Sequence, residues 1–152
     1  MIYLRLGGDV HENFKINRSL FFDSIITSFE TVIKILECDN IDDVLCVDNI
    51  IIDSVCSNIA YIFIISLDCS LIIYDFIYNN ILSLIYEYKQ RFEYMIKQIK
   101  SNNKIIFIRF SNYIINDTTI KKFKKTILKI NNKCNVILLV FDKNTEHSIT
   151  YI

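Results

Sequence analysis

The clearest pattern of hydrophobic and polar positions in this chain lies in residues 81–110. In its first part, apolar residues recur at alternating spacings of four and three, which places them on one face of an α-helix. They are Ile81, Ile85, Tyr88, Phe92, Met95 and Ile99. Polar residues 101–103 interrupt the pattern, and residues 105–108 form a continuous apolar run. Since a run that is apolar on both faces is typical of a strand covered on both sides, the stretch predicts a long helix followed by a buried strand.

A second unit of helix and strand follows. Asp117 or Thr118 suits the N-cap of a helix, and apolar residues at helical spacing continue from there. These apolar residues are Ile120, Phe123, Ile127 and Ile130. Asparagines at 131–132 end the helix, and residues 136–141 form another continuous apolar run. We therefore expect two adjacent, fully buried strands, with the 117–131 helix crossing between them in the right-handed sense.

The first part of the chain has weaker patterns. Residues 2–6 predict a strand, and the two glycines of the protein, Gly7 and Gly8, predict a sharp turn at its end. In open α/β sheets, ligands bind at this end of a strand. A helix is expected to start near Leu20, with Asp23 in its first turn, where the helix dipole favours a carboxylate. Its apolar face would contain Phe22, Ile25, Phe29, Val32 and Leu36.

Between these regions, the pattern changes to short apolar runs. Residues 50–52 and 59–66 are rich in β-branched and aromatic side chains and predict strands. Residues 71–80 are apolar enough to be buried, and they fit either a strand or the start of the long helix.

Together, the elements predict an α/β fold. We expect a single three-layer domain over residues 1–152, with a mostly parallel sheet of four or five strands and helices on both faces. A chain of 152 residues with 52% hydrophobic content can bury one substantial core. No internal repeat or linker indicates a second domain.

Composition adds information about the source. Ile, Asn, Lys, Phe and Tyr are abundant, whereas Pro and Trp are absent. The codons of the abundant residues are rich in A and T, which is typical of an AT-rich large DNA virus or an intracellular parasite. Arg5, Asp9 and Glu12 argue against a secretory leader, and the most apolar window, residues 59–67, is about half the length of a membrane span. We expect a cytoplasmic protein, in the host cytoplasm if it is viral.

Charge and cysteine content narrow the function classes. The formal net charge is zero, so no overall field attracts the chain to nucleic acid or to an anionic membrane. The 117–131 helix is nevertheless rich in lysine: Lys121, Lys122, Lys124, Lys125 and Lys129. Without interleaved Arg or aromatic residues, these lysines predict a solvated face, and nucleic-acid binding ranks third among the functions considered. The five scattered cysteines contain no C-x-x-C pair and predict reduced thiols, with no metal site or cofactor.

Three segments, in order, resemble a family of uncharacterised proteins described as papain-like cysteine peptidases. Residues 6–10 are similar to a Leu-Gly-x-x-Cys turn that follows a strand, and residues 19–25 are similar to a Pro-Phe-Asp-Trp segment. Residues 88–109 resemble a Tyr-x-x-Arg helix leading to a Phe-Val-Arg strand, and residues 66–70 stand where the family tends to carry His-Asp. The resemblance implies an α+β papain-like arrangement as the alternative fold.

The departures from this family concern its catalytic residues. Val10 stands where the family has its cysteine nucleophile, and Leu67 stands where it has histidine before aspartate. Cysteine catalysis needs a thiolate and a neighbouring base, and neither Val nor Leu supplies them. His11 as a base and Cys69 as a nucleophile would be replacements, but nothing in the sequence places them together. The resemblance therefore implies a degenerate member of the family.

Two functions remain in view. The first is a non-catalytic binding or interaction module with a protein partner. The alternative is a hydrolase with altered chemistry around Gly7, Gly8, Asp9, Asp23 and Arg109. In both cases the candidate cleft contains Gly7, Gly8, Asp9, His11, Asp23, Asp68 and Arg109. Because Arg109 leaves a buried strand and needs acceptors, we expect Asp23 and Arg109 to pair near the carboxyl edge of the sheet.

Overall fold

A computed structural model describes residues 2–5, 20–23, 25–56, 59–66, 69–76, 81–111, 114–142 and 148–151. Eight strands and three α-helices lie within these ranges. In chain order they are β1 Ile2–Arg5, β2 Ile25–Ile26, α1 Phe29–Glu37, β3 Ile50–Cys56, β4 Ile59–Ser66, β5 Cys69–Phe76, α2 Ile81–Ser101, β6 Lys104–Ser111, α3 Asp117–Ile130, β7 Asn135–Asp142 and β8 Ser148–Tyr151. Two short 3-10 helices, Ile41–Asp43 and Val47–Asn49, connect α1 to β3.

The strands divide between two four-stranded sheets. The first has the order β1-β6-β7-β8, in which β1, β6 and β7 run parallel and β8 runs antiparallel to β7. The second has the order β2-β5-β4-β3 and is antiparallel throughout. The mixed α/β class predicted from the sequence is confirmed. The first sheet has four mostly parallel strands, as expected of a single central sheet, but the second sheet was not predicted.

The parallel unit formed by β6, α3 and β7 agrees with the sequence. Phe107 pairs in register with Leu138, and α3 lies between the two strands in the chain. The N-cap is Asn116, one residue before the predicted position, and its side chain accepts a hydrogen bond of 2.8 Å from the Thr119 backbone N–H. Helix α2 likewise begins and ends where the apolar periodicity predicted.

Burial differs between the two central strands of this sheet. In β6, residues 107–109 are all buried, so buried side chains lie on both faces of that strand. Along β7, Val136, Leu138 and Val140 are buried, whereas Ile137 and Leu139 are half-buried. The prediction that both strands are fully buried is therefore wrong. An alternating pattern arises when packing is tighter on one face of a sheet than on the other. A three-layer arrangement is not established by the described elements.

Aromatic contacts join the helices to the buried face. Phe123 of α3 packs edge-on against Phe107, with 5.0 Å between ring centroids, and also contacts Phe29 of α1 at 5.0 Å. Phe21 makes edge-on contacts with two rings of α2, those of Tyr88 and Phe92. All these residues belong to a single hydrophobic cluster or pack directly against it.

The short connections of the second sheet explain why its strands are antiparallel. Only two residues separate β3 from β4 and β4 from β5. Parallel strands need a long crossover, so connections of this length fit only antiparallel neighbours. Residues 71–76, which fitted either a strand or the start of the long helix, form a strand. In β3, the pairing register shifts between Ile52 and Ser54 at a β-bulge.

The helix expected near Leu20 begins instead at Phe29. Ser28 is its N-cap, and the Ser28 hydroxyl accepts a hydrogen bond of 3.1 Å from the Thr31 N–H. Residues 20–23 form a turn in which the Asp23 carboxylate accepts from the Leu20 N–H at 2.6 Å. The apolar spacing of 22–29 looked helical because a buried turn and a two-residue strand place their apolar side chains in the same core.

Among the described residues, no helix has both the length and the apolar content needed to cross a membrane.

We predict that Phe107→Asp destabilises the protein by several kcal/mol, because Phe107 is 0% exposed and the new carboxylate would be buried without a counterion. The free energy of unfolding, measured by urea denaturation, checks this. Ile114→Asp is the control, since Ile114 is 90% exposed and its replacement should cost less than about 0.5 kcal/mol. A Phe107→Asp protein with wild-type stability would show that the core has been assigned to the wrong residues.

Candidate functional site

Arg109 is the most deeply placed charged residue in the described part of the chain. It lies in β6, in register with Val140, and is 7% exposed. Its Nη2 atom donates a hydrogen bond of 2.5 Å to the backbone carbonyl oxygen of Thr27, just after β2. Its guanidinium carbon lies 5.8 Å from the centre of the Phe29 ring. Arg109 therefore connects the parallel sheet to the segment between β2 and α1.

A cleft of about 360 Å³ opens beside Arg109. It lies between the N-terminal ends of α1 and α3, at the carboxyl end of β6. Its described lining residues are Thr27, Ser28, Phe29, Glu30, Arg109, Ser111, Ile114, Ile115 and Asn116. The carboxyl edge of parallel strands is the usual ligand site of open α/β sheets, so the position agrees with the expectation for this fold class.

The cleft contains one buried cation and one exposed carboxylate. Burial lowers the pKa of Arg109 to about 10, and the nearby Glu30 carboxylate acts in the opposite direction. A group with this pKa still carries its proton at neutral pH. The Thr119 hydroxyl donates to Glu30 at 3.5 Å and so joins α1 to α3 beside the cleft. These groups can hold a ligand through ionic and hydrogen-bond contacts.

The described lining residues include no cysteine or histidine. Two thiols elsewhere in the described part of the chain, those of Cys38 and Cys134, are not activated. Burial raises the pKa of Cys38, and the charges of Asp39 and Asp43 raise it further. Burial also raises the pKa of Cys134. A nucleophilic cysteine requires the opposite shift, so these two thiols have the character of structural residues.

Of the seven residues predicted for the cleft, the structure describes Asp23 and Arg109. Arg109 lines the cleft, and Asp23 belongs to the 20–23 turn. Their pairing stays a prediction. The other five, Gly7, Gly8, Asp9, His11 and Asp68, lie outside the described residues. Within the described ranges, no group of three or more His, Cys, Asp or Glu side chains could hold a metal ion.

Sequence reasoning missed most of the cleft lining. Ser28 and Asn116 are N-caps, and the cleft lies where the helices that they begin approach each other. A signal for both was present, because Ser or Asn directly before a helical apolar pattern is typical of an N-cap. The close approach of the two caps is a tertiary feature with no local signal.

No protein-family model, curated protein or solved structure matches this chain. The resemblance to papain-like cysteine peptidases therefore stays a prediction.

We predict a coupling between Asp23 and Arg109 of more than about 1 kcal/mol in a double-mutant cycle of Asp23→Ala and Arg109→Ala. If the two form a partly buried ion pair, either single change should cost about 3–5 kcal/mol, because it leaves the other charge buried. Free energies of unfolding of the four proteins measure the coupling. Additive effects would show that Arg109 depends on the Thr27 carbonyl and other groups, and that the pairing is wrong.

Proposed function

We propose that this protein is a non-catalytic binding module, a degenerate relative of papain-like cysteine peptidases, that binds a protein partner through the cleft beside Arg109. The observation that carries the proposal is the content of the cleft, in which a buried cation stands at the carboxyl edge of the parallel strands. Burying nine-tenths of a charged side chain costs free energy of folding. Such a charge is expected where it holds a backbone segment or a ligand in position.

The state of the thiols supports a non-catalytic role. Cys38 and Cys134 are partly or fully buried, and the pKa of each is raised. Val10 and Leu67 replace the two catalytic residues implied by the resemblance. A peptidase of this type would need a thiolate and a base within hydrogen-bond distance of each other.

The proposal also includes a three-layer fold and a cytoplasmic location. The half-buried side chains of Ile137, Leu139 and Phe141 form a second apolar face on the parallel sheet, which a third layer would cover. A cytoplasmic protein of a large DNA virus or an intracellular parasite, the two sources that the composition fits, would keep its five cysteines reduced.

The first prediction from this proposal concerns thiol reactivity. We expect an iodoacetamide-type probe at pH 7 to label the native protein no faster than free cysteine, because burial raises the pKa of the described buried thiols. Mass spectrometry of labelled peptides gives the rate at each cysteine. Cys69→Ala should behave as the wild-type protein does, and Val10→Cys alone should not create peptidase activity.

Rapid labelling of one cysteine, abolished by substitution of His11 or His147, would establish a cysteine–histidine pair. That outcome would replace the binding module with an active hydrolase.

The second prediction concerns the cleft. We expect peptides enriched from a randomised phage-displayed library on the wild-type protein to bind Arg109→Gln at least tenfold more weakly, since the cation in the cleft is removed. Fluorescence anisotropy with labelled peptides measures the affinity, and circular dichroism verifies that each variant is folded.

Arg91→Gln is the matched control. Arg91 has a side chain that is 13% exposed, pairs with Glu87 and lies 4.7 Å from the centre of the Tyr88 ring on α2. Its replacement also removes a largely buried guanidinium, so it should leave peptide affinity unchanged while costing comparable stability. Equal losses in the two variants, or no loss in Arg109→Gln, would contradict binding at the cleft.

A further inference from the structure

Positive charge is concentrated in one part of this neutral chain. Residues 94–141 contain ten of the seventeen Lys and Arg residues and a single carboxylate, Asp117. This stretch forms the end of α2, the parallel strands β6 and β7, and the whole of α3. The zero net charge is therefore the sum of two oppositely charged regions.

Helix α3 carries half of these ten cations. Lys121, Lys122, Lys125 and Lys129 are exposed, and Lys124 is half-exposed. Among the described lysines of α3, only Lys122 and Lys129 have a carboxylate partner, and in both cases it is Glu37 of α1.

Glu37 engages only one side of the helix. Its carboxylate lies 3.4 Å from Lys122 Nζ and 3.9 Å from Lys129 Nζ, and it accepts a hydrogen bond of 2.9 Å from the Thr126 hydroxyl. Burial raises the pKa of Glu37, but these partners outweigh it and hold the pKa below its ordinary value. Lys121, Lys124 and Lys125 are left without a carboxylate within the described structure.

The basic surface continues past the end of α3. Asn131 Nδ2 donates to the carbonyl oxygens of Ile99 at 2.8 Å and Asn102 at 2.9 Å, which fixes the end of α3 against the end of α2. The exposed side chains of Lys100, Lys104 and Lys133 belong to this junction. We call the basic face the surface made by Lys104, Lys121, Lys124, Lys125, Lys129 and Lys133.

Carboxylates are concentrated in another segment, between α1 and β3. Asp39, Asp42, Asp43 and Asp48 lie there, and all are exposed. Lys89 of α2 forms an ion pair within this region, with 2.6 Å between its Nζ atom and Asp42 Oδ1.

We propose that the basic face docks on the phosphate backbone of double-helical nucleic acid without reading its sequence. A protein partner would require an apolar core to the interface, and stable attachment to an anionic membrane would require an apolar group that inserts, in addition to the lysines. The exposed surface of α3 offers only Leu128, at 42% exposure. Its aromatic residue, Phe123, is fully buried, which removes the stacking platform that single strands need.

The geometry of α3 fits a row of phosphates. A 14-residue helix is about 21 Å long. Lys121, Lys125 and Lys129 are four residues apart and form one line along it, with about 6 Å between neighbours. The acidic 39–48 segment limits the surface that can contact the nucleic acid, so we expect about five phosphate contacts. The expected affinity is that of non-specific binding, with a Kd of about 1–100 µM at physiological salt.

The experiment measures the anisotropy of a fluorescent 20-base-pair DNA duplex of random sequence, titrated with protein between about 20 and 200 mM NaCl. The expected plot of log K against log salt concentration has a slope of about −4. The double variant Lys121→Gln/Lys125→Gln should flatten this slope by about 2 and weaken binding at least tenfold at the lowest salt. Lys121→Arg/Lys125→Arg, which keeps the charge, should restore both.

Lys89→Gln is the control, because it removes a lysine charge from the helix that faces the acidic segment, outside the basic face. It should leave the slope unchanged. Absence of duplex binding at 20 mM NaCl and 100 µM protein would overturn the proposal. So would an equal loss in Lys89→Gln, or tighter binding to phosphatidylserine vesicles or to a polyglutamate peptide at the same salt.

Discussion

The structure depends on how one buried guanidinium is satisfied. Arg109 lies in the central strand pair of the parallel sheet, where it is shielded from water. A buried guanidinium is stable there only if its N–H groups donate hydrogen bonds to acceptors in the protein. The Thr27 carbonyl supplies one at 2.5 Å, and Thr27 directly follows the short strand that joins the antiparallel sheet. A single side chain thus fixes the position of one sheet relative to the segment that leads out of the other. The cleft exists because this connection brings the starts of α1 and α3 to the same edge.

The sequence specified well the elements whose local signals and tertiary environment agree. Helix α2 has its apolar face at helical spacing over more than five turns, and the burial of Tyr88, Met95 and Ile99 follows that face. The unit of β6, α3 and β7 is similarly consistent. In both cases the periodicity and a polar break indicate the same boundaries, and α3 also has an N-cap at Asn116.

Prediction failed where tertiary contacts override local spacing. Phe22 and Ile25 have helical spacing to Phe29, yet the chain between them forms a turn and a two-residue strand. Ser28 was the better local signal for the helix start, because its hydroxyl accepts a bond from the Thr31 N–H. The two-residue connections around β4 appear only with the observed strand bounds, because the predicted strands 50–52 and 59–66 leave six residues between them. The approach of Ser28 and Asn116 around Arg109 depends on contacts between residues more than eighty positions apart, for which periodicity carries no information.

The bulge in β3 has a consequence for how the molecule behaves in a crowded solution. β3 is the outer strand of the antiparallel sheet, and an outer strand rich in isoleucine is a template on which other chains can add. The register passes from Ile52 to Ser54 across the bulge, so Asp53 is the extra residue. An interrupted ladder with a charged residue at the break cannot pair regularly with a second strand. The chain therefore carries, in one charged residue of this isoleucine-rich outer strand, a local barrier to amyloid-like self-association.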